Sequence, residues 1–288
     1  MKKILFPTDF SETANNAFIY ALNVAKKMNA SILTLHTYAL PDVGTAIGFN
    51  LPHQLSEFYD NIDINELENF RAALPALRKI ADDNGFDQIG MRHALVSSAS
   101  PKFTIVDVAK EENVDMIVMG TDGATGFKEI FVGTNAAEVM ENAECPVLVV
   151  PSRANFRGTI SKIAVTTEYK KEEEKALDQT LAFAKLLEAD VTCINVDIYH
   201  THQFYDRMQL LKNKYKDEKG IAFKVLEGNS IEHTILNYLQ EEKVDLLVML
   251  THKRSFIEEL FAFSISKKMA YHSKTPIMCI QAHVLAEA

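Results

Sequence analysis

Four of the chain's 11 glycines fall within one short segment, GTDGATGFKEIFVGT, residues 120–134. An apolar run, DMIVM, precedes it, and a helix-like run, NAAEVMENA, follows it. Glycine adopts positive φ without steric cost and lets backbone approach a ligand closely. Successive N–H groups in such a loop form an anion-binding concavity. Gly120 ends the apolar run, Gly123 lies in a tight turn, and Gly133 precedes a helix whose expected N-cap is Thr134. The start of that helix adds free N–H donors and partial positive charge. The chemistry these residues support is a cradle for phosphate. The P-loop lysine pattern and the G-x-G-x-x-G fingerprint are both absent. A glycine-rich turn without a ligand would use the same residues, so the glycines alone leave both readings open.

Something must hold that loop at the end of a strand. Short apolar runs alternate with amphipathic ones. Ile4–Phe6 is an expected strand, and Ala14, Phe18, Ala21, Leu22, Ala25 and Met28 share a helical face that Ser11 would cap. SILTLHT, MRHALV, DMIVMG and PVLVV are further strands. Helices are expected over residues 65–83, over PKFTIVDVAKEEN with Pro101 near its start, and over TNAAEVMENA. Near-continuous apolar strands joined by helices mean a parallel sheet covered on both faces. Ligands of such sheets bind beyond the carboxyl ends of the strands, where Gly120 stands.

The unit occurs twice. KILFPTDF (3–10) returns as KIAVTTEY (162–169), an offset of 159. ENVDMIVM (112–119) returns as EKVDLLVM (242–249), an offset of 130, at which Pro146 also meets Pro276. The offsets differ by 29 residues, so the first copy carries that much extra chain, assigned to residues 40–64. The expected domains are residues 1–152 and 160–282, joined through the polar stretch PSRANFRGT.

Of the 288 residues, 47% are hydrophobic and 24% charged, with a formal net charge of −9. That balance argues against a general nucleic-acid or anionic-membrane partner. The apolar start MKKILF stops at Pro7, too early for a signal core, and no run is long enough for a membrane span. Cys145, Cys193 and Cys279 are widely spaced and read as buried thiols, which fits the cytoplasm. His200-x-His202 lacks an acidic or Cys partner nearby and reads as a surface loop. EEEK (172–175) reads as a solvated helix start, and Phe18, Phe103, Phe183 and Phe223 as core aromatics.

The spacing Gly120-x2-Gly123-x9-Gly133-Thr134 resembles the nucleotide-binding pattern of the universal stress protein family, G-x2-G-x9-G-(S/T). KILFPTDFSETA resembles that family's opening strand and loop, and CPVLVVP its closing strand. The resemblance covers the first half well and the second as a degenerate copy. It implies two tandem doubly wound α/β domains, each a five-stranded parallel sheet in the order 3-2-1-4-5, and ATP as ligand, with or without Mg2+. Carried over by position, Pro7, Thr8 and Asp9 would line the adenosine end, and Thr37 would offer backbone groups to the adenine. Met119 and Gly120 would flank the ribose; Gly123, Gly133, Thr134 and Asn135 would hold the phosphates. Asp9 has the chemistry for ribose hydroxyls or a base amine; capping the following helix is its other reading. Ala99 departs from the glycine that many members carry beside the ligand.

The second half breaks the pattern. Leu250, Lys253 and Phe263 stand at Gly120, Gly123 and Gly133, Ser264 keeps the hydroxyl of Thr134, and Glu168 and Thr166 replace Asp9 and Pro7. One nucleotide site per chain is therefore expected. His252, Lys253 and Arg254 read as an exposed basic loop, with a repurposed anion pocket as the other reading. The two halves should pair through their last strands as a pseudo-dimer, with further homodimerisation left open. The favoured function is a nucleotide-binding regulatory module. A slow ATPase using Asp122, Lys128 or Glu129, and a ligand-free structural stress protein, are the alternatives.

Overall fold

The computed structural model describes residues 1–39, 52–86, 90–121, 134–201, 203–251 and 274–281. The first half runs β1 (Lys2–Pro7), α1 (Glu12–Met28), β2 (Ala30–Tyr38), α2 (Pro52–Asp83), β3 (Met91–Ser97), α3 (Pro101–Glu111), β4 (Met116–Gly120), α4 (Thr134–Asn142) and β5 (Val147–Val150). The second runs β6 (Lys162–Thr166), a 3-10 turn (Lys171–Glu173), α5 (Glu174–Leu187), β7 (Asp190–Asp197), α6 (Gln203–Lys214), β8 (Ile221–Glu227), α7 (Ile231–Glu241), β9 (Leu246–Thr251) and β10 (Ile277–Gln281).

All these strands join one sheet in the order β3-β2-β1-β4-β5-β10-β9-β6-β7-β8. Each half has the expected 3-2-1-4-5 order, and its strands are parallel. Alternate residues feed two apolar layers. Ile4, Phe6 and Val118 face α1 on one side, while Leu5, Ile117 and Met119 face α3 and α4 on the other. Strands buried on both faces explain why the sequence shows apolar runs rather than alternation.

The halves meet where β5 and β10 run antiparallel, pairing Val149 with Ile277, Leu148 with Met278 and Val147 with Cys279. All four residues of β5 are buried. The segment after β5 docks on α1: the Asn16 side-chain amide donates to the carbonyl of Ala154 at 2.8 Å, and Phe156 meets Tyr20 edge-on at 5.0 Å.

The repeat persists in atomic detail. At offset 159, Asn29 and Glu188 both end their helices in the left-handed conformation, at φ 51° and 59°. At offset 130, Asp115 and Asp245 each accept the N–H of a β-strand lysine, Lys3 and Lys162. β3 and β8, and α3 and α7, share their bounds at this offset.

Three expectations change. Helix α2 begins at Pro52 rather than near residue 65 and spans 32 residues, against 12 in its counterpart α6. Most of the extra chain therefore lengthens a helix. Phe103 is 54% exposed, lying under the Lys102 ammonium instead of in the core. Glu173, within the supposedly solvated EEEK, is 2% exposed.

Among the described residues no helix is long and apolar enough to cross a membrane. The three thiols are free. Burial pushes Cys145 up to about 11 and raises Cys193 and Cys279 further. Because the thiolate is the reactive form, all three should stay silent to a thiol reagent at pH 7 in the native protein. All three should react in denaturant, which a colorimetric thiol count would check.

Candidate functional site

The carboxyl ends of β2, β1 and β4 lie side by side. The register puts Pro7 opposite Leu35, and Leu5 opposite Ile117. By strand alternation, Pro7, Thr37 and Met119 point to the same face as Leu5, Leu35 and Ile117. α4 packs on this face through Ala136, Val139 and Met140, so Thr134 and Asn135 at its start belong to it too. β1 stops at Pro7, whereas β2 continues three residues past Leu35 to Tyr38, carrying Thr37 beyond the last pairing with β1. The structure thus gathers Pro7, Thr37, Met119 and Thr134 at one end of one sheet face. Met119 is 6% exposed and takes part in the core there. Asn135 is exposed. Gly123 and Gly133 lie outside the described residues, as do Asp122, Lys128 and Glu129.

Local hydrogen bonds shape the loop after β1. Thr8 is buried; its hydroxyl accepts the Phe10 N–H at 3.0 Å and its own N–H donates to the Leu35 carbonyl. Asp9 Oδ1 accepts the Ser11 N–H at 3.0 Å. Ser11 is the N-cap of α1, as expected, and its hydroxyl accepts the Ala14 N–H. The Asp9 carboxylate therefore braces the turn before the cap instead of capping the helix itself. Phe10 is held at φ 60°, uncommon for a bulky side chain. His36 Nδ1 donates to the Thr8 carbonyl at 2.7 Å, tying β2 to the loop. Phe10, His36 and Phe70 form an aromatic cluster at this end of the sheet.

Gly120 has a structural cause of its own. A Cβ on Gly120 would come within 3.0 Å of the Thr13 methyl and 3.4 Å of the Thr13 carbonyl oxygen. That glycine lets the first turn of α1 lie against the end of β4, which accounts for it without a ligand. Thr134 is the first residue of α4 rather than its N-cap. Ala99 is exposed.

The same loop in the second half keeps its frame and changes its filling. Thr167 accepts the Tyr169 N–H, Tyr169 sits at φ 56°, and the Asn195 side chain donates to the Thr167 carbonyl, as His36 does to Thr8. Here, however, a carboxylate enters the loop. Glu173 accepts the Thr167 hydroxyl at 2.7 Å and the N–H groups of Glu168 and Lys170 at 3.1 and 3.0 Å. Ala14 stands at the corresponding place in the first half. The helix start is rebuilt as a 3-10 turn to deliver that carboxylate. An acid in a charged run gave no sign of this; the signal would have been the loss of Ser11, replaced by Lys170, at the cap position.

Among the described residues no group of acids, cysteines and histidines could hold a metal ion. His200 is exposed, and His202 and residues 252–254 fall outside the described segments.

The universal stress protein family model matches residues 1–151 and 200–281. The chain belongs to the universal stress protein family. A universal stress protein of Methanocaldococcus jannaschii is 35% identical over 149 residues, 52% of this chain and 81% of the relative. One from Synechocystis sp. is 24% identical over 295 residues, 96% of this chain and 99% of its own, so this likeness extends over both halves. The crystal structure of a universal stress protein from Archaeoglobus fulgidus, 20% identical, superimposes with a TM-score of 0.68 and covers 97% of this chain and 96% of its own. That likeness shares the α/β fold.

Proposed function

We propose that this universal stress protein binds one ATP, alone or with Mg2+, at the carboxyl ends of β2, β1 and β4, and serves as a nucleotide-reading regulatory module. Residues 1–152 form the competent domain and residues 160–282 a degenerate one that packs against it. The contrast between two copies of one loop carries this reading. In the second copy the Glu173 carboxylate accepts the N–H groups of Glu168 and Lys170, whereas the first copy has Ala14 at that place and Asp9 itself accepts the Ser11 N–H. The donor set of the first copy suits an adenine nucleotide. Asp9 is an acceptor for hydroxyls or an amine, Thr37 supplies backbone beyond the β1 pairing, and the first N–H groups of α4 face no helical partner. Bound ATP would bring the triphosphate charge to that helix start, where the helix dipole favours it.

Calorimetric titration with Mg-ATP should give one site per chain. A stoichiometry near two, or no heat with adenine nucleotides, would refute the assignment. Gly133→Val should bring binding below detection while leaving the circular dichroism spectrum unchanged, because a β-branched side chain intrudes where phosphate would sit. A folded variant with unchanged affinity would show the phosphate cradle to be elsewhere.

A further inference from the structure

The last strand of the second half ends on a helix of the first. β10 pairs with β5 only as far as Cys279, opposite Val147. Ile280 and Gln281 run on past the start of β5, and Gln281 still pairs with Thr251 of β9. This carries the Gln281 side chain, in a residue 8% exposed, to the C-terminus of α4. Its Nε2 amide donates to the Met140 carbonyl at 2.6 Å and to the Glu141 carbonyl at 3.3 Å.

Those carbonyls belong to the last turn of α4, whose final four C=O groups have no partner within the helix. The Ala143 N–H serves Val139 at 2.9 Å, and Gln281 serves the next two. No basic side chain lies in that last turn to do the same work. Gln281 is thus a C-cap supplied by the other half of the chain. At offset 130 the position of Gln281 is occupied by Pro151, which has neither a side-chain amide nor a backbone N–H.

We propose that Gln281 is a positioning residue through which the degenerate half sets the phosphate-binding end of α4 in the competent half. This rests on the nucleotide reading given above. α4 has nine residues and is about 13 Å long, a rigid rod on that scale. Val139 and Met140, fully buried, fix it sideways against the sheet. Among the described residues, the Gln281 cap at one end and the Lys102–Glu138 ion pair at 2.6 Å help restrain it along its axis. Axial drift at the capped end moves Thr134 and its neighbours by the same amount at the other. The second half has lost the glycines of its own motif and supplies a side chain that steadies its twin.

The test compares full-length wild type with Gln281→Met, which keeps the side chain's length and apolar packing but removes both donors. ATP affinity should fall about tenfold, the scale on which residues remote from a ligand modulate its binding. Adenosine, which has no phosphate, should bind the variant within a factor of two of wild type. In the absence of ligand, amide hydrogen exchange across residues 134–142 should quicken in the variant. Gln281→Lys, which restores a donor and places positive charge at a helix C-terminus, should recover ATP affinity. Equal losses for ATP and adenosine, no loss for ATP, or unchanged exchange in α4 would each overturn the role of Gln281. Wild-type protein that binds neither ATP nor adenosine would instead refute the nucleotide reading, and this proposal with it.

Discussion

Glu173→Ala is expected to cost about 3 kcal/mol of stability, a fall in Tm of roughly 5 °C for a chain of this size. The carboxylate is 2% exposed and accepts the Thr167 hydroxyl and the N–H groups of Glu168 and Lys170. Alanine deletes the acceptor and leaves these donors in place. Each buried donor without a partner costs about 1–3 kcal/mol, and water entering the vacated space recovers part of the sum. Glu173→Gln keeps the shape and one acceptor oxygen, so about half the loss is expected. Glu172, the exposed neighbour in the same acidic run, is the control: Glu172→Ala should change stability by less than about 0.5 kcal/mol. Thermal melts of the three variants decide the matter. If Glu173→Ala melts together with Glu172→Ala, the carboxylate is not what holds the loop. Nucleotide binding in the first half should survive these changes, because they lie on the far side of the β5–β10 seam.

How far the sequence revealed this molecule varies with the kind of interaction. The two offsets, 159 and 130, survive down to single hydrogen bonds. Thr8 and Thr167 accept the same N–H, and Phe10 and Tyr169 share the left-handed backbone. The strands themselves and the N-cap at Ser11 were equally legible, since apolar runs and capping chemistry are local signals, whereas the strand order came from the family resemblance. What sequence could not show depends on contacts between distant residues. Gly120 looked like a ligand-facing glycine, yet Thr13 supplies a reason for it inside the fold. Glu173 looked solvated because its neighbours are. Helix α2 starts 13 residues before the expected point; Leu55, Phe58, Tyr59 and Ile62 stand at helical spacing there, a legible signal that assigning residues 40–64 as extra chain passes over. Gln281 sits at the end of an apolar strand, and only the pairing of β10 with β5 brings it to α4.

That pairing also determines what the first half should do alone. A fragment of residues 1–152 is expected to dimerise or aggregate, on the order of tens of micromolar, while the full chain needs no partner to cover β5 and β10. In the fold β5 is the last strand of the first half's sheet, and β10 covers its outer edge. Cutting the chain exposes a row of backbone N–H and C=O groups flanked by Val147, Leu148, Val149 and Val150, all buried in the intact protein. Natural edges are blunted by charge, proline or bulges, and this strand has none of these within its four residues. An identical strand from a second fragment could pair antiparallel across a twofold axis, as β10 does across the pseudo-twofold. Within one chain the tether of residues 151–161 makes that encounter intramolecular, and a high effective concentration replaces subunit affinity. The fragment also loses the Ala154 carbonyl that accepts from Asn16 and the ring contact between Phe156 and Tyr20, which loosens α1 beside the exposed edge. Sedimentation velocity across a concentration series measures the outcome directly. A folded monomer that persists over the whole series would show that β5 is protected by something other than β10, and the seam would then be a contact of convenience rather than a requirement of the fold.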